Sequence, residues 1–324
     1  MKFRVFLILL IASISFSTVL NAQNAFDDAV YEDVKKVAQT GYQFLKLGVG
    51  TQGPGMGGSA VTHDGDAIAI FWNPAGITTI GRAAVAFSST NWIADMQAHA
   101  VAGVISLGQF GYLGISALTM DHGNIKGTAI SNNNMGYDDT GLLEPAEYAI
   151  GLTYARRFTD RFGFGITAKY CEQDLIARNS NIIAYDVGTI YNTNWNNIKI
   201  GMSIQHFSKE IRYIDEFFEL PLTFRIGLSG DVLSLAGLKS TEHQLIFAVE
   251  GVNPRDYSER VHVGLEYWYK QLVALRYGNK FNYDEESYSF GAGVKVKGIE
   301  IGYAYSMLGI FDPVSRFSIR MTFN

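Results

Sequence analysis

The chain has 324 residues, 48% of them apolar and 13% aromatic, with 34 Gly and only 6 Pro, which excludes a disordered or collagen-like polymer. A single cysteine, Cys171, excludes an intramolecular disulfide framework and any multi-cysteine zinc site. The formal charge is −5, and with Lys2 and Arg4 set aside the 26 basic side chains become 24 against 31 acidic ones, a balance that argues against nucleic acid as a partner.

Lys2 and Arg4 precede an apolar run at 5–12, a Ser-rich stretch and Asn21-Ala22, the layout of a secretory signal peptide over residues 1–22. Leu20 stands where a small residue is usual, so the cut before Gln23 is open by a few positions. No cysteine lies there to carry a lipid anchor. Beyond it no stretch of about 18 apolar residues occurs, so a membrane-spanning helix is not expected. Export without a helical anchor leaves a secreted or periplasmic protein, or an outer-membrane barrel.

Residues 23–80 form a second region. Phe26, Val30, Val34 and Val37 lie at helical spacing with Asp27 and Asp28 in the first turn, which predicts a short amphipathic helix over 26–38. A glycine-rich run follows, with Gly48, Gly50, Gly53, Gly55, Gly57 and Gly58, then Trp72-Asn73-Pro74-Ala75-Gly76. Gly48, Gly50 and Gly53 have GxGxxG spacing, but Pro54 and Gly55 are a poor opening for a pyrophosphate-binding helix. Gly53 to Gly58 has phosphate-loop spacing, yet Ser59 replaces the essential lysine. Backbone that takes positive φ and packs tightly against another surface is the better use of these glycines.

From residue 81 to 324 the chain alternates in period two. Val261, Val263, Leu265, Tyr267 and Tyr269 interleave with His262, Gly264, Glu266, Trp268 and Lys270, and the segments after it repeat the pattern. Upstream strands are expected near 83–94, 97–107, 110–121, 146–158, 161–173, 181–192, 197–208, 221–231 and 243–251. About 14 antiparallel strands result, long enough to cross a bilayer when tilted. Short connections alternate with longer ones at 122–145, 174–180, 209–220, 252–258, 279–287 and 308–315, as in outer-membrane barrels; the exceptions are 233–241 and the tight connection near Asp95. The expected fold is therefore an all-β transmembrane barrel of the outer membrane, with aromatic and aliphatic side chains facing lipid. Inward-facing candidates are Asp186, Arg225, Glu250, Glu266, Arg276, Lys295, Glu300 and Arg320. A soluble sandwich or propeller would alternate too, but its strands are typically shorter, about 5–6 residues.

The Gly-rich run taken together with Trp72-Asn73-Pro74-Ala75-Gly76 resembles the N-terminal signature of the PorV/PorQ family of outer-membrane proteins, which is related to FadL-type transporters of hydrophobic compounds. The resemblance extends through Glu147-Tyr148-Ala149-Ile150-Gly151, residues 154–163, residues 220–225 and Val263-Gly264-Leu265-Glu266-Tyr267. It implies a 14-stranded barrel whose N-terminal region enters the lumen as a plug or hatch, with Asn73, Pro74 and Ala75 matching the Asn-Pro-Ala of FadL-type hatches. A structural turn before the first strand explains those three residues equally well. Gln52-Gly53-Pro54 and the terminal Asn324 depart from the family pattern.

Catalytic chemistry is not apparent. The six histidines are scattered, with no HExxH pair, and no GxSxG elbow occurs. His63, Asp64 and Asp66 cluster beside the hatch, where a solvated polar turn is the simpler reading. Asp138-Asp139 and the run Asp284, Glu285 and Glu286 fall in expected outer loops. No enzyme, metal or cofactor is expected. The resemblance implies a part in protein secretion and surface attachment of the type IX kind, with outer-membrane lipid, secretion machinery and exported cargo as partners. FadL-like transport of a small hydrophobic compound is the alternative.

Overall fold

Lipid on one side and a polar interior on the other dictate which way each residue of a strand faces. The computed structural model describes residues 40–323 except 124, 132–134, 177–178, 194, 214–215 and 239; the expected signal peptide at 1–22 and amphipathic helix at 26–38 lie outside the described residues. The strands are β1 (Ala83–Asn91), β2 (Gln97–Ser106), β3 (Tyr112–Asp121), β4 (Ile125–Ile130), β5 (Tyr137–Leu143) and β6 (Ala146–Arg157). They continue as β7 (Phe162–Asp174), β8 (Asn179–Asn192), β9 (Lys199–Phe207), β10 (Ile211–Tyr213), β11 (Glu216–Phe218) and β12 (Thr223–Asp231). The last six are β13 (His243–Pro254), β14 (Arg260–Tyr269), β15 (Val273–Phe281), β16 (Glu286–Val296), β17 (Ile299–Leu308) and β18 (Phe311–Phe323).

Fourteen of these close into one antiparallel barrel, in the order β1-β2-β3-β6-β7-β8-β9-β12-β13-β14-β15-β16-β17-β18 and back to β1. Closure runs from Ala83 opposite Phe323 to Asn91 opposite Ser315. That ladder removes the free sheet edge that hydrocarbon does not tolerate. The remaining four strands form two hairpins, β4 with β5 and β10 with β11, inside segments expected to be plain outer loops.

The faces differ sharply. Leu275 on β15 is 56% exposed, whereas its neighbours Ala274 and Arg276 are 0% and 3% exposed. Outward residues such as Phe87, Ile115, Leu152, Tyr277 and Phe317 form the apolar surface, and inward ones are Ala, Ser, Thr, Gly or charged. At one end, here the turn end, the connections are short. Lys270 and Gln271 have φ of 51° and 54°, and Lys297 and Gly298 49° and 83°, the primed-turn geometry that matches the strand twist. The longer 232–242 connection at this end holds a four-residue helical turn, Val232–Leu235, capped by Asp231, which accepts from Leu233 N. The opposite, loop end carries both extra hairpins.

A barrel of 14 strands is wider than its own side chains fill. Residues 40–80 occupy the space. They begin at the loop end, where Thr40 bridges Glu219, and pass down the lumen to Ile80 at the turn end. The segment is built of single turns: Gln43–Lys46, Gln52–Gly55, Ala67–Phe71 and Pro74–Thr79. Their apolar side, including Tyr42, Ile68, Ile70, Trp72 and Ile77, is buried with the inward alanines of β1 and β2 in one core.

The close approach of this segment to the wall explains where glycine falls on the strands. A Cβ built on Gly278 of β15 would overlap the Gly57 nitrogen and the Met56 carbonyl carbon, and one on Gly188 of β8 would overlap Asn73. Lipid-facing Gly103 on β2 has only ordinary contacts at that position, 3.8 and 4.0 Å. Gly278→Val is therefore expected to undock the inner segment and abolish heat-modifiable gel migration, while Gly103→Val migrates as wild type. Normal migration of both variants would show that the barrel assembles without this contact.

Candidate functional site

The chemistry concentrates where the inner segment meets the wall. Tight turns pair the N–H groups of residues 55–59 within the segment, and wall side chains take those at its two ends and add one at Gly57. Gly50 N donates to Ser88 Oγ at 3.0 Å and Gly57 N to Ser289 Oγ at 2.9 Å. Thr51 and Ser318 share a hydroxyl hydrogen bond of 2.7 Å. Glu250, 1% exposed, accepts from both Ala60 N and Val61 N at 2.8 Å and pairs with Arg225 at 2.7 Å. Two backbone donors and one guanidinium compensate a carboxylate that could not otherwise stay charged in this position.

Asn73 caps the turn Pro74–Thr79: its Oδ1 accepts from Ala75 N at 3.0 Å. Its Nδ2 donates to Val61 O at 2.7 Å and reaches the wall carbonyls of Thr189 at 3.0 Å and Met202 at 3.3 Å. Pro74 is pre-set at the first position of that turn. Trp72 Nε1 donates to Val49 O at 2.9 Å, joining the two halves of the segment. Gly76 packs against the His63 carbonyl and Ala69. Of the glycines, Gly50, Gly57 and Gly58 take φ of 84°, 67° and 83°, while Gly48, Gly53 and Gly55 instead sit against Trp72 or the β15–β16 wall.

Toward the turn end the segment is tied by buried charge. Asp66, Glu266, Glu300, Arg276 and Arg320 are each under 8% exposed. Arg320 bridges Asp66 of the inner segment and Glu300 of the wall; Arg276 reaches Glu300 at 2.8 Å and Glu266 at 3.3 Å. Asp66 also caps Ala67–Phe71, accepting from Ile68 N at 2.8 Å, and meets His63 at 3.0 Å. Burial alone would raise the Asp66 carboxyl, but His63 and Arg320 outweigh it and hold it well below the usual carboxylate range. The cluster His63, Asp64 and Asp66 is thus a charged joint, not the solvated turn expected: Asp64 pairs with Lys199 at 2.6 Å. Lys295 is half-buried beside it and lines the same turn-end cavity, of about 290 Å³.

Among the other sequence candidates, Asp186 accepts from His206 N at 2.8 Å and pairs with Lys169 at 2.7 Å. His206 has φ of 63° beside a register shift in the β8–β9 ladder, so the carboxylate holds a bulge in place. Asp138 and Asp139 lie exposed on β5, but Glu286, expected in a loop, opens β16 and pairs with Lys280. Sequence reasoning missed the wall groups that grip the segment: Ser88, Ser289 and Ser318, together with Gln205, which donates to Phe71 O at 2.9 Å, and Arg316, which donates to Gly48 O at 3.2 Å. Their inward phase was the only local signal.

Near the loop end Lys46 pairs with Asp256 at 2.8 Å. Burial lowers the Lys46 ammonium, whereas at Asp256 the effect of burial is outweighed by Lys46 and the carboxyl sits below its usual range. Burial pushes the Tyr42 hydroxyl up to about 12. Among the described residues no group of three potential ligands could hold a metal ion.

Arg320→Met would leave Asp66 and Glu300 buried without their shared partner, and the barrel is expected to lose about 3–5 kcal/mol of stability, read from urea unfolding in lipid vesicles. Asp66 has a depressed folded pKa, so its contribution is complete above the unfolded aspartate value of about 4 and declines as the pH falls toward the depressed value. Asp66→Asn should accordingly lower stability at pH 7 and flatten its acid dependence. An unchanged acid profile in that variant would remove Asp66 from the account.

Residues 148–308 match the family of the type IX secretion system membrane protein PorP/SprF. No curated protein matches the chain. In fold it is similar to CymD, a monoaromatic hydrocarbon channel, with a TM-score of 0.58, 14% identity and coverage of 86% of this chain and 98% of that one. It is similar also to the Pseudomonas putida toluene transporter TodX, with 0.55, 10%, 89% and 98%, and to a Pseudomonas aeruginosa FadL homologue, with 0.52, 11%, 86% and 99%. At these identities the likeness is one of fold: the chain is a closed 14-stranded β-barrel of the outer-membrane type.

Proposed function

We propose that the chain is an outer-membrane component of a type IX kind of protein export, acting through its loop end while its lumen stays closed. The observation that carries this reading is the buried network of Asp66, Arg320, Glu300, Arg276 and Glu266, which fastens residues 40–80 across the barrel. A segment held by desolvated ion pairs at the turn end and by Glu250 and Asn73 higher up is a fixed plug, not a freely moving gate. The match of residues 148–308 to a secretion-system membrane family supports the same role. Within that system, the PorV/PorQ resemblance rests on the Gly-rich run and Trp72-Asn73-Pro74-Ala75-Gly76. Residues 1–22 serve as the export signal, and no reaction is catalysed.

Passage of small hydrophobic compounds is the competing reading, and the CymD and TodX folds favour it. The loop-end cavity has an apolar side, with Phe44, Leu45, Phe71, Trp92 and Met96, that would suit such a solute, but also Lys46, Arg225, Arg260, Lys280 and Arg316, which must stay paired or hydrated and so oppose its passage. Deleting the gene separates the two. Exported proteins are expected to accumulate in the periplasm and disappear from the cell surface, with growth on a hydrophobic carbon source unchanged. Matching surface and periplasmic proteomes with reduced hydrophobic uptake would overturn the secretion role.

A further inference from the structure

The loop-end chamber, about 680 Å³, contains an aromatic and cationic ladder to which neither reading gives a ligand. The Arg260 guanidinium carbon lies over two rings, 4.2 Å from the Tyr257 centroid and 3.9 Å from the Tyr283 centroid. Lys46 Nζ covers Tyr257 at 4.7 Å and Lys280 Nζ lies 5.1 Å from Tyr283. Tyr283 is fixed by its hydroxyl, 2.8 Å from His262 Nε2. Both lysines have their own carboxylates, Asp256 and Glu286. Among the described residues Arg260 has no carboxylate within ion-pairing distance, and its Nε is buried without a hydrogen-bond partner.

Stacking occupies only the two faces of a guanidinium. Its N–H donors lie in the plane at the edge, so a guanidinium held by ring contacts alone keeps these donors for a further partner. Such a fork matches the two oxygens of a carboxylate or phosphate. The surrounding charge has the same sense, because Glu286 faces Lys280, Arg316 and Arg260 together and pairs with Lys280. The volume falls within the range of small-molecule sites.

We propose that the loop-end chamber binds a small polar oxyanion, carboxylate- or phosphate-bearing, with Arg260 as its anchor. Binding of this kind is independent of the export role and is measured on the purified full chain in detergent. Calorimetric titrations with succinate and with inorganic phosphate, against chloride at matched ionic strength, test it. At least one anion is expected to bind saturably, and whichever binds more tightly identifies the source as carboxylate or phosphate. Arg260→Gln should weaken that binding about tenfold or more, with Arg260→Lys between it and wild type. Arg255→Gln, altering an exposed cation paired with Glu219, should leave it unchanged. Should Arg260→Gln fail to give a heat-modifiable barrel, Tyr283→Leu, which removes one of the two rings that hold Arg260, carries the same expectation of weaker binding. Absence of saturable binding by either anion, or wild-type affinity in folded Arg260 or Tyr283 variants, would overturn the assignment.

Discussion

Backbone against backbone is the contact on which the rest of this structure depends. A closed sheet of 14 strands solves the hydrogen-bonding demands of the membrane but leaves an interior that inward side chains do not fill. Residues 40–80 fill it only because the wall presents glycine where the segment's main chain comes closest, as at Gly278 under Gly57 and Gly165 under Pro74. The segment's single turns pair only part of its amides, and wall hydroxyls and the Glu250 carboxylate take others at Gly50, Ala60 and Val61 and join in at Gly57. Filling and satisfying are a single arrangement, and a change on either side is felt on the other.

Charge follows from the same constraint. A carboxylate that accepts main-chain N–H groups inside a barrel needs a cation nearby: Glu250 has Arg225, and Glu300, tied to the segment through Arg320, has that arginine. The mixed signs along the inner face are therefore compensated locally, pair by pair. Breaking one pair leaves a buried charge, which costs far more than the pair itself contributes.

Much of the barrel is legible in the sequence because lipid imposes period two on every strand, so Val261 to Tyr269 and Ile299 to Met307 declare their faces without reference to any partner. Strand number and the alternation of short and long connections follow from the same signal. The small hairpins β4–β5 and β10–β11 are not legible, since neither faces lipid on one side and a lumen on the other, and two short strands carry little periodicity. The inner segment shows its glycines but not its partners. Arg320 and Asp66 are 254 positions apart, and nothing local in either marks the other. For the same reason His63, Asp64 and Asp66 read as a solvated turn: the sequence shows three polar residues together, while Arg320 and Lys199, which make the site a joint, arrive from distant strands.

The two chambers left on either side of the inner segment are unlike, and the difference is built by the wall. At the turn end Asp64, Asp66, Glu266 and Glu300 meet Lys199, Lys295 and Arg320, with Arg276 behind them, so acid and base balance. At the loop end the lining carries Lys46, Arg225, Arg260, Lys280 and Arg316 against Glu147 and Glu286. Asp256 and Glu250 neutralise two of these cations from outside that lining, yet a basic surplus remains around Tyr257 and Tyr283. Uncompensated charge in a partly desolvated place is tolerated only where water or a ligand reaches it. The balanced side is thus suited to holding the segment in place, and the unbalanced side, among the longer loops, to receiving something from outside.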